Sequence, residues 1–223
     1  AVHSAGVQRK VNIFVGYGPV ANVSHLRLPL SLLIPWTPEL LAIAEPFSRA
    51  GYFEISEGVS KLLAQLCSLF DGRICSTLIT LTFFASPYQL NETRLPVYVG
   101  HYPVGTTTQN LRHYYQVYRA GEFVMYDQGA SENLRRYNQP TPPAYPLERI
   151  TVPIALFSSE GDHVANSRDV ADLVVRLGPR VVQHHVVAMR TFRHADFTIG
   201  YRANDLLHNI AIRIMRQYAS GGR

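Results

Sequence analysis

Hydrophobic and polar positions follow two different patterns along the chain. Residues 11–15 form an apolar, β-branched run that ends at residues 16–19, where two glycines and a proline predict a turn. This run is typical of a short buried strand. Residues 29–90 instead contain apolar stretches that proline and glycine interrupt repeatedly, without the alternation of a strand. The second pattern predicts a helical cap or lid inserted into the fold.

Two more strands are predicted in the second half of the chain, after a proline-rich connector at residues 140–143. Residues 150–157 are a largely apolar run in which Pro153 limits where the strand can begin. Residues 181–187 are the other strand candidate.

Each of these later strands is followed by a predicted helix. Ser167 is the candidate N-cap of the first helix and Gly178 lies at its end, and the apolar face between them carries Val170, Leu173, Val174 and Leu177. The last helical run carries Leu206, Ile210, Ala211 and Ile214 on one face. The order strand, helix, strand, helix predicts an α/β fold with parallel strands, in which ligands bind beyond the carboxyl ends of the strands.

Three predicted strands are few for an open parallel sheet that is covered by helices on both faces. We therefore expect the N-terminal part of the sheet to lie outside this chain. The first residues also lack an initiating methionine and the basic and apolar regions of a signal peptide. Both observations are expected for a chain that begins within a longer protein.

Composition and charge exclude several classes of protein. With 47% hydrophobic and 17% charged residues, the 223-residue chain has the composition of a globular domain. Its formal net charge is +5, but lysine and arginine are dispersed, so we predict no nucleic-acid partner. We interpret the positive charge as an ordinary basic surface of a soluble protein, and a surface that attracts anionic lipid is the alternative. The longest weakly polar run, residues 74–86, is too short to span a bilayer, so no transmembrane segment is predicted.

The two cysteines, Cys67 and Cys75, lie close together in the sequence. They could be reduced thiols of a cytosolic protein or a disulfide formed in the secretory pathway. Glycosylation sequons at Asn22 and Asn91 favour the disulfide.

Asp162 and His194 are the candidate catalytic residues, because each follows one of the two later strands. A carboxylate that accepts the Nδ1–H of an imidazole leaves Nε2 free to take a proton from a nucleophile. Their order in the chain fits a triad in which the nucleophile comes first. From spacing alone, the alternative is an aspartate that caps a turn and a histidine on the surface.

Several segments in order resemble motifs of the acid lipases, the family of gastric and lysosomal acid lipase. Residues 101–110 resemble the family's H-x-P-x-G-T-[ST]-x-Q-N segment, and residues 193–197 resemble its N-H-L-D-F. Further similarities lie at residues 18–21, 121–129, 137–145 and 161–170. The resemblance covers nearly the whole chain.

This resemblance implies an α/β-hydrolase fold, with a mostly parallel sheet in residues 1–28 and 91–223 and a helical cap over residues 29–90. It also implies Asp162 as the triad acid, His194 as the general base, a disulfide between Cys67 and Cys75, and a glycan on Asn91. The chain departs from the family pattern at residues 158–160 and 166–167. These departures leave open the conformation of the loop around Asp162.

The serine of such a triad is not evident in the sequence. Ser4 lies in a segment that superficially resembles the nucleophile elbow, but no strand precedes it and no helix fits between Gly6 and Val11. We therefore expect the serine, and the donors of the oxyanion hole, upstream of the chain. Since losing one such donor typically costs about 10²–10³ in rate, residues 1–223 alone are expected to be inactive.

The function implied by the resemblance is hydrolysis of triacylglycerols or cholesteryl esters at a lipid–water interface by a secreted or lysosomal enzyme. Apolar cap residues would cover the acyl-binding cleft, among them Leu32, Leu33, Ile34, Trp36, Leu40 and Leu41. The alternatives are a non-catalytic lipid-binding relative and a soluble carboxylesterase. We predict no metal and no cofactor, because His184 and His185 point to opposite faces of a strand and His163 has no partner at a metal-ligand spacing.

Overall fold

The computed structural model describes residues 5–54, 57–67, 73–82, 85–101 and 105–220. A parallel three-stranded sheet lies at its centre, in which β1 (Phe14–Tyr17) pairs with β4 (Ile154–Ser158), and β4 pairs with β5 (Val181–Val186). The mixed α/β character and the parallel orientation predicted from the sequence are therefore confirmed.

The first strand begins and ends later than the sequence predicted. It starts at Phe14, whose N–H donates to the carbonyl of Pro153 at 2.9 Å, and it continues through Gly16 and Tyr17. The start is shifted because a strand extends only where its partner does, and β4 begins directly after Pro153.

All five residues of β4 are buried because helical segments cover both faces of the sheet. On one face, Ala155 and Phe157 pack in a cluster with Phe192, Phe197 and Leu207. The cluster on the other face contains Ile154, Leu156, Leu173 and Leu177. The central strand therefore fixes the position of the loop that follows its carboxyl end, which contains Asp162.

The helices of the second half agree with the predicted order. Helix α9 (Ser167–Leu177) joins β4 to β5, and α11 (Asn209–Ser220) follows a π-helical turn at Asn204–His208. The predicted N-cap was wrong by one residue: Asn166 has extended backbone angles, and its side chain accepts the N–H of Arg168 at 3.0 Å. Short helix α10 (Asp196–Ile199) lies between β5 and the π-helical turn.

The remaining α-helices lie before β4 in the chain. They are α1 (Ala5–Gln8), α2 (Leu30–Leu33), α3 (Thr37–Ala44), α4 (Glu57–Cys67), α5 (Arg73–Thr82), α6 (Leu95–His101), α7 (Thr108–Ala120) and α8 (Ala130–Tyr137). The segment predicted to form the cap is thus mainly helical where it is described. It also contains β2 (Tyr52–Phe53), which pairs antiparallel with β3 (Thr106–Thr107) and was not predicted. No described helix combines the length and apolar character needed to cross a membrane.

A disulfide joins Cys67 at the end of α4 to Cys75 in α5, so this prediction is confirmed and the alternative of reduced thiols is excluded. Both cysteines belong to a buried cluster with Ile79, Ala85, Leu95 and Val99. We call this set of six residues the cap cluster. Ala195 and Ile199, which follow His194, pack against it.

Candidate active site

The structure brings Asp162 and His194 together at the carboxyl ends of β4 and β5. The Nδ1 atom of His194 lies 2.9 Å from Oδ2 of Asp162, and the imidazole donates this hydrogen bond because a carboxylate only accepts. The Asp162 side chain is 0% exposed, whereas that of His194 is 34% exposed. The pair therefore presents its imidazole, and not its carboxylate, to a substrate.

Backbone donors hold the carboxylate of Asp162 in one orientation. Its Oδ1 atom accepts the N–H groups of Val164 and Ala165 at 2.7 and 2.9 Å. Oδ2 is left to accept the imidazole N–H of His194. This division of the two oxygens fixes the tautomer that keeps the proton on Nδ1 and leaves Nε2 free to accept one.

Ser159 closes the loop whose conformation the sequence left open. Its side chain is fully buried, and its hydroxyl donates to the carbonyl of Phe192 at 2.7 Å while accepting the N–H of Gly161 at 3.1 Å. A Cβ on Gly161 would overlap the carbonyls of Arg190 and Phe192. The loop of Asp162 and the loop that leads to His194 are therefore in direct backbone contact.

Gly18, in the turn after β1, packs against the Asp–His pair, a role that sequence reasoning missed. It has a φ of +50°, a left-handed conformation that favours glycine. A Cβ at this position would lie 3.0 Å from both Cε1 and Nδ1 of His194 and 3.3 Å from Oδ2 of Asp162. The turn after β1 thus packs directly on the Asp–His pair. The sequence indicated a turn and a family motif at residues 18–21, but neither signal indicated this contact.

An apolar cavity of about 440 Å³ opens beside His194. Its lining includes four of the predicted cleft residues, namely Leu33, Ile34, Leu40 and Leu41, together with Val20, Val23, Leu26, Leu30, Leu111, Tyr114 and Val164. Leu32 and Trp36, also predicted at the cleft, do not line it and are 65% and 62% exposed. The cavity has the size and polarity of a site for an extended hydrocarbon group.

The other histidines singled out in the sequence lie outside this pair. His184 lies 2.8 Å from the hydroxyl of Ser158, and burial lowers the pKa of its imidazole below the usual range. His185, on the other face of β5, donates to the carbonyl of Leu206 at 2.9 Å. Burial likewise lowers the pKa of His163, with smaller contributions from the charges of nearby arginines. Among the described residues, no three potential metal ligands cluster together.

The nucleophile is not found in the described part of the chain. Ser4 and residues 102–104 of the first motif lie outside the described residues. Within the described ranges, the hydrogen bond that the His194 imidazole makes is the one between Nδ1 and Oδ2 of Asp162.

A parallel sheet that carries an aspartate and a histidine beyond two successive strands is the arrangement of the α/β-hydrolases. No protein-family model matches the chain, but curated proteins do. The tear acid lipase-like protein of Mesocricetus auratus is 33% identical over 206 residues, which are 89% of this chain and 50% of that protein. Gastric triacylglycerol lipase of Rattus norvegicus is 29% identical over 213 residues, with 94% of this chain and 52% of that protein covered.

Lipase member K of Mus musculus is 30% identical over 217 residues, which are 94% of this chain and 52% of that protein. At about 30% identity over about 90% of the chain, these relatives support an acid lipase-like family. It spans about half the length of the curated relatives it matches.

Proposed function

We propose that the protein hydrolyses carboxylic esters of lipids, with Asp162 and His194 as the acid and base of a Ser-Asp-His triad. The observation that carries this proposal is the 2.9 Å hydrogen bond between a buried carboxylate and a partly exposed imidazole beside an apolar cavity. The names of the relatives, which include a gastric triacylglycerol lipase, support the same substrate class.

In the proposed reaction a serine attacks the acyl carbonyl while Nε2 of His194 takes the hydroxyl proton. Asp162 keeps the imidazole in the required tautomer and stabilises the imidazolium that forms. The same proton then passes to the departing alcohol, which leaves an acyl-serine. Water, deprotonated by His194, attacks this ester and releases the fatty acid. We propose that the serine comes from a part of the protein outside the described residues.

The acyl chain of the substrate would occupy the cavity beside His194. Its walls are almost entirely aliphatic, so burial of a hydrocarbon chain there is favourable by about 0.8 kcal/mol for each CH₂ group. Two sets of residues form these walls. Those of α2 and α3 come from the proposed cap, residues 29–90, and Val20, Val164 and His194 come from the proposed core, residues 1–28 and 91–223. Triacylglycerols or cholesteryl esters at a lipid–water interface are the proposed substrates.

A secreted or lysosomal location is part of the proposal. The disulfide between Cys67 and Cys75 supports it, because disulfides persist in oxidising compartments and are rare in the cytosol.

The second candidate is a lipid-binding relative without catalysis. The observation that favours it is the apolar cavity, whose aliphatic lining would bind a hydrocarbon chain whether or not an ester is cleaved. Such a protein would use the apolar cavity but would not turn over an ester.

The protein that carries this chain should be tested with emulsified triacylglycerol, with a short soluble ester, and with a fluorophosphonate probe that labels activated serines. We expect hydrolysis of the emulsion, and labelling that is lost in His194→Ala. Lipid binding without either signal would favour the second candidate, and a strong preference for the soluble ester would favour a carboxylesterase. Residues 1–223 expressed alone should be unreactive, and labelling at Ser4 would contradict this.

A further inference from the structure

Asp196 lies two residues after His194 and has a fully buried carboxylate. Its Oδ2 atom accepts the backbone N–H of Arg193 at 2.7 Å. Its Oδ1 and Oδ2 atoms lie 2.9 and 3.2 Å from the backbone N–H of Ser86. The Asp196 side chain thus joins its own turn to a backbone segment that lies 110 residues earlier in the sequence.

The bond to Arg193 closes a turn that contains His194. The N–H of Asp196 in turn donates to the carbonyl of Arg193 at 3.1 Å, so the two residues are bonded in both directions. This reciprocal pattern resembles a capping box, in which a carboxylate three residues into a helix reaches back to an earlier N–H. A Cβ on Gly200 would overlap the carbonyl of Asp196, so the turn is also packed from behind. His194 therefore has little freedom to move independently of Asp196.

The bond to Ser86 fastens the same turn to the end of the proposed cap. Ala85 and Ser86 are fully buried, and the guanidinium of Arg193 donates to the carbonyl of Ala85 at 3.3 Å. Ala195, between His194 and Asp196, packs against the cap cluster. Both chain neighbours of His194 are therefore held in place: Arg193 by a hydrogen bond and Ala195 by apolar packing.

Gln89 holds the far end of this loop. Its backbone carbonyl accepts the N–H of Tyr201 at 2.7 Å, and its side-chain oxygen accepts the N–H of Arg202 at 3.1 Å. The Gln89 amide also donates to the sulfur of Met189 at 3.1 Å, before His194 in the chain. Residues 85–89 thus contact the histidine loop on both sides of His194.

Burying a carboxylate costs free energy unless hydrogen bonds to its oxygens compensate for the loss of water. At Asp196 both oxygens accept backbone N–H groups. Burial raises the pKa of Asp196 to about 6, although the N–H groups of Arg193 and Ser86 and the charge of Arg193 act in the opposite direction. The charge of Asp162 adds to the increase. An asparagine would offer one acceptor oxygen to two backbone donors and would turn its own NH₂ group towards one of them.

We propose that Asp196 is a positioning residue for His194: by fastening the His194 turn to residues 85–86, its carboxylate holds the imidazole at bonding distance from Asp162. Asp196 would hold His194 in this position whatever reaction the protein catalyses. The effect of Asp196 on turnover rests on the proposed function.

The test compares wild type with Asp196→Asn in the protein that carries this chain, labelled with ¹⁵N and ¹³C at histidine. The signal to follow is the Nδ1–H proton of His194, which reports the bond to Asp162. We expect this proton to exchange with water about tenfold faster in Asp196→Asn, the factor that corresponds to one weakened hydrogen bond. The matched control is Asp169→Asn, because Asp169 is also buried and accepts a backbone N–H, that of His25, at 3.0 Å. The control should change the signals of His25 and leave those of His194 unchanged.

Steady-state kinetics give the second measurement. A displaced imidazole should lower kcat by about 10- to 100-fold and leave KM unchanged. Asp196→Ser, which avoids placing an NH₂ group beside a backbone N–H, repeats both measurements in case Asp196→Asn does not fold. If wild type hydrolyses no ester but the His194 proton responds as expected, the proposed function fails and the positioning role stands.

Two outcomes overturn the proposal. In one, a folded variant shows the exchange rate and chemical shift of His194 seen in wild type. In the other, both variants lose the whole fold, which would assign Asp196 to stability alone.

Discussion

The most informative single substitution is Asp162→Asn, because it changes one atom of the Asp–His pair. In the structure, Oδ1 of Asp162 accepts two backbone N–H groups, and Oδ2 accepts the Nδ1–H of His194. Asparagine has only one acceptor oxygen, which the two backbone donors will retain. Its NH₂ group then faces Nδ1, and because two donors cannot bond, the imidazole must carry its proton on Nε2 instead. That tautomer cannot accept a proton from a nucleophile.

The expected loss is large in rate and small in stability. A triad held in the wrong tautomer loses about 10⁴ in kcat, which corresponds to about 5.4 kcal/mol of barrier. The variant keeps the shape of the side chain and both backbone hydrogen bonds, so the unfolding free energy should fall by only about 1 kcal/mol. The two effects differ enough that a loss of folded protein cannot account for the loss of rate.

The assay is titration of the fatty acid released from emulsified triacylglycerol, alongside urea unfolding of the same preparations. Asp169→Asn is the control, since it makes the same change at another buried carboxylate, one bonded to His25. A folded Asp162→Asn protein that keeps a tenth of the wild-type rate would refute the role of Asp162. Equal losses in Asp162→Asn and Asp169→Asn would show that the assay reports stability and not chemistry.

Three further predictions follow from contacts around the site and in the cap. Gly18→Ala should lower kcat at least about tenfold, because its Cβ would lie 3.0 Å from the imidazole of His194; an unchanged kcat would refute the close packing. The pKa of Asp196, raised to about 6, means that its contribution to stability is full below about pH 4 and lost as the pH rises through 6. Urea unfolding between pH 4 and 7.5 should therefore show wild type losing up to about 3 kcal/mol relative to Asp196→Asn, and a pH-independent difference would contradict this. Replacing Cys67 and Cys75 together by serine should lower the unfolding free energy by about 2–3 kcal/mol under non-reducing conditions, and an unchanged value would show that the short loop is not constrained.

Local sequence patterns predicted β4, which is buried along its whole length, and α9, which has one buried face. β4 and α9 were found because continuous apolar runs and a regular apolar face depend only on neighbours in the chain. The start of β1 could not be found in this way, since it is set by Pro153, about 140 residues away. The ladder between β2 and β3 is two residues long, which is too short for any periodicity.

In the candidate site, too, the features that depend on neighbours in the chain could be predicted, and those that depend on distant residues could not. Asp162 and His194 could be proposed because each follows a predicted strand and lies in a family motif. The contacts of Ser159 and Asp196 could not, because their partners lie 33 and 110 residues away. Nothing in the residues beside them indicates those partners. The local sign that the sequence gives is only that Ser159 lies close to a motif and Asp196 lies within one.

The pairing of β1 with β4 also constrains how the protein folds. Their partners, such as Phe14 and Ile154, are about 140 residues apart, whereas β4, α9 and β5 are consecutive. The consecutive unit can form early, but closing so long a loop costs entropy before any contact compensates for it. During synthesis at the ribosome, the apolar β1 segment is made well before β4 and lacks this partner strand until then. Nascent chains are therefore exposed to aggregation through that interval, and chaperones that bind extended apolar segments would act on this stretch first.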